Sequence, residues 1–590
     1  MRRALATVLL VLLAAGCLSS APGAVLQGSD RVPAAEWTQD LTEPIYDGVV
    51  STLARVTSED GRSLSLTVHL PEGLPEGERI PTLLQITPYQ PLSARKSTPQ
   101  GTDGPDPGWL EYVLRGAAYV EADARGTGGS DGCLDFGGKA DRADAAAFVA
   151  WIHEQPWSDG RVVTDGVSHP GMGSVVAHAA VPDLTAALAH APVVDYYMDE
   201  WYQGAKFENQ LNGEAYQAIE LAPSAYLDPQ ALLAQAAPCT GKTVLDFEQP
   251  DGTHGALWDE RDLARFARAR WDAAADASSA RDAQTKRVPI LLTNGFIDQN
   301  VHPDHVQAYW DALPVDYPKW VIWGWWYHGY PDMDGHPAKE FDDVRHRWLD
   351  ATLFNLSNGL WAEPRVLVED STGVWHEGNA WPLEPSEVVR LRASGEGDLV
   401  DGPATEGSAT YVDRLSVTRG SWTDAHVAFR TEPLDAARLV NGAPRVHLVA
   451  SSDQTETKWV VYLLDESPDG SWERITHGYA DSHTYEGEDD WKDMQPGTSY
   501  AWDIHTLPTA VVVPAGHRIT LLVASQDSDQ AFPPQTENPC WDDHRGGCYD
   551  PSGIRPAVTA GRATNTVLAG EDGTYVELAW VDPTLTQKAG

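Results

Sequence analysis

Arg161-Val162-Val163-Thr164-Asp165-Gly166-Val167-Ser168-His169-Pro170-Gly171 is the stretch on which the reading of this chain turns. It runs from a short apolar strand, through a tight turn carrying a serine, into a helix expected over Met172 to Ala180. Gly166 and Gly171 flank Ser168 where a sharp strand-to-helix turn brings backbones close. That is the geometry of a nucleophile elbow, in which a serine is held exposed in a strained turn above a parallel sheet. The usual spacing is G-x-S-x-G, whereas here the second glycine comes one place later. By itself the pattern also fits an ordinary glycine-rich turn, so its surroundings decide.

Upstream, Ser63 to Val68 alternates as a strand does, and Pro81 to Ile86 is a compact apolar strand ending in Thr87-Pro88-Tyr89. Ala118 to Ala122 is another strand, followed by the glycine-rich Asp123 to Gly132. Asp141 to His153 reads as an amphipathic helix with Ala147, Phe148, Trp151 and Ile152 on one face. Strand, loop, helix, strand, elbow and helix is the alternation of a doubly wound, mostly parallel sheet. Downstream, residues 195–287 turn helical and alanine-rich, as suits a cap over the ligand-binding edge of such a sheet. Strands return at Val288 to Gly295, leading to Asp298, and at Trp320 to Gly324, leading to His328. A helix over Ala338 to Leu353 is expected to close the domain. From 362 to 590 the segments are β-rich and separated by Gly, Pro and Asp turns, which predicts an all-β sandwich or jelly roll. The expected organisation is a targeting segment (1–24), a first α/β part (25–194), a helical cap (195–287), a second α/β part (288–361) and the β domain (362–590).

A serine hydrolase on an α/β sheet takes its triad in the chain order Ser, acid, His, each partner in a loop just beyond a strand. Ser168, Asp298 and His328 meet both conditions. His328 would take the serine proton, and Asp298 would orient the imidazole and stabilise its charged form. His302, His305 and His336 are rival bases, though none follows a strand so directly. Alternatively, His328 belongs to an aromatic cluster with Trp325, Trp326 and Tyr327. An oxyanion needs donors aimed at the developing charge. The backbone N–H of His169 is one, and the phenol of Tyr89 a candidate second.

At the N-terminus, Arg2 and Arg3 precede the apolar run Ala4 to Ala15, too short for a normal membrane span, and Gly16-Cys17 follows. This resembles a bacterial lipoprotein signal in which Cys17 is lipidated and anchors the chain. The alternative is ordinary cleavage near Ala21 to Ala24 and secretion. Either path exports the protein, where disulfides are permitted. Cys540 and Cys548 share a short loop and are expected to pair, which leaves Cys133 with Cys239. The 86 acidic against 42 basic residues give a net charge of −44, which argues against a nucleic-acid partner. No CxxC or HExxH spacing points to a metal, and no cofactor is called for. The oligomeric state is left open.

Several motifs occur together and in order. They are Thr87-Pro88-Tyr89, Asp123-x-Arg125-Gly126-x-Gly128-x-Ser130-x-Gly132, Trp151-x-x-x-Gln155-Pro156-Trp157-Ser158-x-Gly160 and Gly166-Val167-Ser168-x-x-Gly171. Trp258-x-Glu260-Arg261-Asp262, Gly295-x-x-Asp298 and His328 follow. The set resembles the X-Pro dipeptidyl-peptidase and cocaine-esterase group of α/β-hydrolase serine hydrolases, with its C-terminal jelly roll. The resemblance implies an active Ser168–Asp298–His328 triad, a tyrosine oxyanion donor at Tyr89 and a helical cap shaping the pocket. Two positions depart from the group. His169 stands where tyrosine is usual, and Thr164-Asp165 stand where the elbow strand is usually apolar or small.

Members of the group cleave N-terminal X-Pro dipeptides, esters such as cocaine, or α-amino acid esters. A dipeptidyl peptidase must meet a free α-ammonium with a carboxylate. Asp199 and Glu200, beside Trp201 at the start of the cap, are the candidates. Equally, they could form a solvated helix end in an acidic protein. Asp298-x-Asn300-Val301 is closer to the X-Pro peptidase pattern than to that of the amino acid ester hydrolases. The sequence therefore favours an X-Pro dipeptidyl peptidase, with a broader acyl or ester hydrolase second. An inert hydrolase domain on an exported binding lipoprotein ranks last.

Overall fold

The computed structural model describes residues 42–89, 107–206, 253–275, 287–298, 300–329, 339–413, 425–525 and 563–588. Strands β1 (Val49–Thr57) and β2 (Ser63–Pro71) form an antiparallel hairpin, followed by β3 (Ile80–Thr87). Helix α1 (Pro107–Leu114), β4 (Ala118–Asp123), α2 (Lys139–His153), β5 (Ser158–Val167), α3 (His169–Ala180) and β6 (Ala186–His190) come next. A short helix α4 (Tyr196–Glu200) leads into the small hairpin β7 (Trp201–Tyr202) and β8 (Ala205–Lys206). Then come α5 (Ala256–Asp259), α6 (Leu263–Ala275), β9 (Ile290–Gly295), α7 (Asp304–Ala312), β10 (Lys319–Gly324) and α8 (Lys339–Thr352). Strands β11 (Val366–Glu369) and β12 (Trp375–Gly378) complete the large sheet, in the order β1-β2-β4-β3-β5-β6-β9-β10-β11-β12.

From β4 to β11 all neighbours in that sheet are parallel, and antiparallel pairs occur only towards its edges. Helices cover both faces, so the central strands are apolar throughout. Every residue of β4, β6, β9 and β10 is buried. Side-chain alternation sorts β5 between the layers. Val162 packs with Val175 and Val176 of α3, whereas Val163 packs with Trp109 of α1 and Phe341 and Trp348 of α8.

The glycine-rich loop after β4 is a structural clamp. Arg125 places two guanidinium nitrogens on the Asp144 carboxylate, both at 2.7 Å. Ser58 adds a short hydrogen bond to the same carboxylate. Ser130 Oγ donates to Asp123 O (2.8 Å) and accepts the N–H of Ser65 (2.8 Å), tying the loop to β2. The Trp258-to-Asp262 segment clips on here: Arg261 donates to Asp135 (2.8 Å), and Arg142 to the Glu260 carbonyl (2.7 Å).

Two boundaries differ from the sequence reading. α5 and α6 lie within the expected cap, yet Trp258, Leu263 and Ala267 join the main core and α6 packs on α3 and α7. The rest of that cap, 207–252 and 276–286, lies outside the described residues. Beyond 362, β11 and β12 extend the catalytic sheet rather than the β domain, because β11 pairs in parallel with β10. The β domain that follows is a jelly-roll-like sandwich of an eight-stranded and a four-stranded sheet, packed around Leu448, Trp459, Leu463, Ile504 and Leu521. Its Leu439, Ala510 and Val581 share the core beneath the large sheet with Phe296, Trp323 and Trp381. The β domain thus buttresses the loops after β9 and β10. Cys17, Cys239, Cys540 and Cys548 lie outside the described residues, and with them the expected lipidation, the Cys540–Cys548 pair and the expected partner of Cys133.

The Arg125–Asp144 pair is almost wholly enclosed, at 6% and 5% side-chain exposure. Asp144→Ala therefore removes the nearest counter-charge of a buried guanidinium, leaving Asp60 (3.2 Å) and Asp141 (3.9 Å), and should cost about 3 kcal/mol. Urea unfolding would show this as a lowered midpoint at unchanged slope.

Candidate active site

Ser168 sits between β5 and α3 at φ 64°, ψ −125°, a region that costs a side-chain-bearing residue about 1–3 kcal/mol. Two contacts hold it there. Its N–H donates to the His190 carbonyl at the end of β6 (2.9 Å), and its own carbonyl accepts the N–H of Met172 (2.9 Å), opening the helix. The glycine spacing follows from close approach. A Cβ on Gly166 would lie 2.5 Å from the Pro170 carbonyl, and one on Gly171 2.6 Å from His190 O. The second glycine, one place later than usual, is thus the residue that lets α3 pass over the end of β6.

Asp298 and His328 follow β9 and β10, which pair in parallel register up to Gly295 opposite Gly324. The two loops are stitched together. Phe296 N–H donates to Gly324 O (2.8 Å), and a Cβ on Gly295 would overlap the Trp326 backbone. Asp298 is fully buried. Its Oδ1 accepts the N–H groups of Asn300 (2.8 Å) and Val301 (3.0 Å), and its Oδ2 lies 2.8 Å from His328 Nδ1. A carboxylate can only accept, so Nδ1 carries the hydrogen and Nε2 is the basic nitrogen. Asn300-Val301 therefore serves as a backbone cradle that holds the acid aimed at His328. The rivals are placed differently. His302 and His305 are buried, and burial pushes them down to about 4 and about 3. His305 Nδ1 accepts the Val194 N–H (3.3 Å). His336 lies outside the described residues.

The Tyr89 hydroxyl lies 3.5 Å from Ser168 Oγ, and the ring is 44% exposed, so the phenol stands at the mouth beside the nucleophile. Its N–H donates to Thr87 Oγ1 (3.2 Å), fixing the turn after β3. His169 opens α3, so its N–H belongs to the positive end of that helix. Its side chain is buried, pushed by burial down to about 3, and set edge-on to the Tyr89 ring at 6.4 Å. In place of the usual tyrosine it is thus a neutral ring that backs Tyr89.

At the start of the expected cap, the Asp199 carboxylate is only 4% exposed and lies 3.8 Å from His305 Nε2. Glu200 ends α4, and Trp201 is buried with its ring 6.4 Å from Trp491 of the β domain. Sequence reading missed the acidity around them. Burial, then Asp262, pushes Asp195 up to about 8, with Glu488 and Asp304 adding to it. Asp304 and Glu488 are themselves pushed up to about 7, burial being the main cause for each. Asp195 caps α4 by accepting the Tyr197 N–H (2.9 Å). Glu488 comes from the β domain and could not have been placed beside the cap from the sequence.

Chemically this is a buried acid, an oriented imidazole, a serine in a strained turn and a phenol beside it. The model for "X-Pro dipeptidyl-peptidase (S15 family)" matches residues 60–330, and that for "X-Pro dipeptidyl-peptidase C-terminal non-catalytic domain" matches 358–572. The chain is 24% identical to the "Putative Xaa-Pro dipeptidyl-peptidase" of Streptomyces avermitilis, over 78% of this chain and 76% of that protein. It is 25% identical to the cocaine esterase of a Rhodococcus species, over 81% and 91%. Among solved structures, an α-amino acid ester hydrolase shares the fold at TM-score 0.66 and 20% identity, covering 95% of this chain and all of that one. A CocE/NonD family hydrolase of Staphylococcus aureus does so at 0.69 and 14%, over 94% and 100%.

Ser168→Ala should abolish turnover with the unfolding midpoint retained, since triad members act as a unit. Tyr89→Phe should lower kcat by about 10²–10³-fold, the usual cost of one oxyanion donor. Steady-state kinetics on one ester substrate reads both, and an effect of Tyr89→Phe confined to KM would make that residue a pocket wall instead. With two family models spanning most of its length, the chain belongs to the X-Pro dipeptidyl-peptidase and cocaine-esterase group of hydrolases.

Proposed function

We propose that this hydrolase is an exported X-Pro dipeptidyl peptidase that works through an acyl-enzyme on Ser168. Ser168 Oγ attacks the carbonyl carbon while His328 Nε2 takes its proton. The oxyanion is met by the Tyr89 phenol and the His169 N–H. His328 then returns the proton to the leaving amine, and water repeats the cycle on the ester. Asp298 stays ionised throughout and stabilises the imidazolium.

The observation that favours a peptidase is the acidity at the start of the cap, where the enclosed Asp199 carboxylate lies beside the α7 segment that follows the Asp298 loop and the half-buried Asp195 is pushed up to about 8. Buried carboxylates are costly unless a cation meets them, and the α-ammonium of a peptide is such a cation. Asp199 and Glu200, with Trp201 as an apolar wall, are the proposed ammonium site. A broader ester hydrolase is the second reading, favoured by the likeness to cocaine esterase.

X-Pro anilides with a free amine should be cleaved, and their N-acetylated forms should not. Replacing Asp199 and Glu200 by Asn and Gln should then cost the free-amine substrate about 2–4 kcal/mol in kcat/KM, leaving aryl esters nearly untouched. Equal cleavage of free and acetylated substrates would remove the peptidase reading and leave the esterase one. Export, with Cys17 as membrane anchor or with release after cleavage, is likewise a proposal. Cys17→Ser should shift the protein from the membrane fraction to the medium, and a wild-type N-terminus beyond Cys17 would contradict the anchor.

A further inference from the structure

One buried polar network lies outside the catalytic chemistry. Asp165 stands three residues before Ser168 on β5, on the face it shares with Val163. Around it the layer is apolar, built from Trp109, Val163, Leu188, Phe341 and Trp348. The carboxylate is fully enclosed. Its Oδ1 lies 3.1 Å from His190 Nε2, and its Oδ2 is 3.2 Å from Arg345 Nε. His190, also fully enclosed, places Nδ1 2.8 Å from Thr293 Oγ1 and its ring 5.2 Å from Phe341. Arg345 is only 15% exposed, and its guanidinium lies 4.2 Å over the Trp109 ring. The charges balance with a neutral imidazole: Nε2–H faces the Asp165 carboxylate 3.1 Å away, Nδ1 accepts from Thr293, and Arg345 neutralises the carboxylate. Burial holds His190 below its usual range, against the pull of Asp165.

Such a network is a poor means of gaining stability, since apolar residues of the same volume would do as well or better. What it does supply is fixed geometry among elements that end in the site. β5 ends at Ser168. β6 ends at His190, whose own carbonyl receives the Ser168 N–H. β9, which carries Thr293, leads to Asp298, and α8, which carries Arg345, follows the His328 loop. We propose that Asp165 is a positioning residue: through His190, Thr293 and Arg345 it locks β5, β6, β9 and α8 in one register and so fixes the Ser168 turn against its triad partners. The inference rests on Ser168 being the nucleophile.

The test compares Asp165→Asn, the charge-free pair Asp165→Asn/Arg345→Met, and Thr293→Val, with an aryl acetate as substrate and urea unfolding alongside. Displacing a nucleophile from afar costs about 10–100-fold, so Asp165→Asn should lower kcat by that much with KM within about twofold of the original. The double variant, free of a buried unpaired charge, should regain the unfolding midpoint but not kcat. Thr293→Val, which removes one hydroxyl, should lower kcat in the same sense and by less. A double variant that regains both kcat and stability, or a stable Thr293→Val of unchanged kcat, would overturn the proposal and leave the network purely structural. If Asp165→Asn alone does not fold, the other two variants decide. A native protein whose Ser168 takes no fluorophosphonate would overturn the nucleophile assignment, and the proposal with it.

Discussion

One hydrogen bond underlies the site: the Ser168 N–H to the His190 carbonyl, 2.9 Å long, across the ends of β5 and β6. Together with the Met172 N–H on the Ser168 carbonyl it keeps a serine at φ 64°, although the turn is uphill by about 1–3 kcal/mol. The bond forms only because α3 passes close over the end of β6, which a side chain at position 171 would prevent. From it follow the direction of α3, the aim of the His169 N–H and the place of Ser168 Oγ beside Tyr89. The large sheet exists, in functional terms, to hold four strand ends in register around that bond.

The remaining parts act on this frame in layers. The backbone cradle of Asn300 and Val301 fixes Asp298, Asp298 fixes the tautomer of His328, and glycine contacts between the β9 and β10 loops fix both. The β domain closes the arrangement from outside. Trp325 Nε1 donates to Ala510 O (3.1 Å), and the Tyr202 phenol donates to His505 O (3.0 Å). The second domain is thus part of the wall behind the His328 loop and beside the β7–β8 hairpin. A hydrolase domain cut free of it would expose Phe296, Trp323 and Trp381, which share a core with Leu439 and Val581.

Much of this was legible in the sequence because it is local. The apolar runs of β3, β4, β9 and β10 can be read as buried parallel strands, and the elbow glycines mark a close turn. Asp298 and His328 announce themselves by standing just past strands. What could not be read depends on distant pairing. Asp165 looked like an intrusion in an apolar strand, and only the fold brings His190 and Arg345 to it. Nothing in the sequence around Asp195 marked its raised pKa, which comes first from burial and then from Asp262, with Glu488 and Asp304 adding to it. The assignment of β11 and β12 failed for a similar reason: short strands carry no mark of which sheet they will join, and parallel pairing with β10 decided it.

The central claim is that Ser168, in this turn, is the atom that takes the acyl group. Acid quenching during turnover of an activated acyl ester, followed by mass mapping of the digested chain, tests it most directly. The account predicts an acyl adduct confined to the peptide carrying Ser168 and lost on unfolding before the reaction. An adduct on another residue, or turnover with no adduct at Ser168 under conditions where deacylation is limiting, would contradict it.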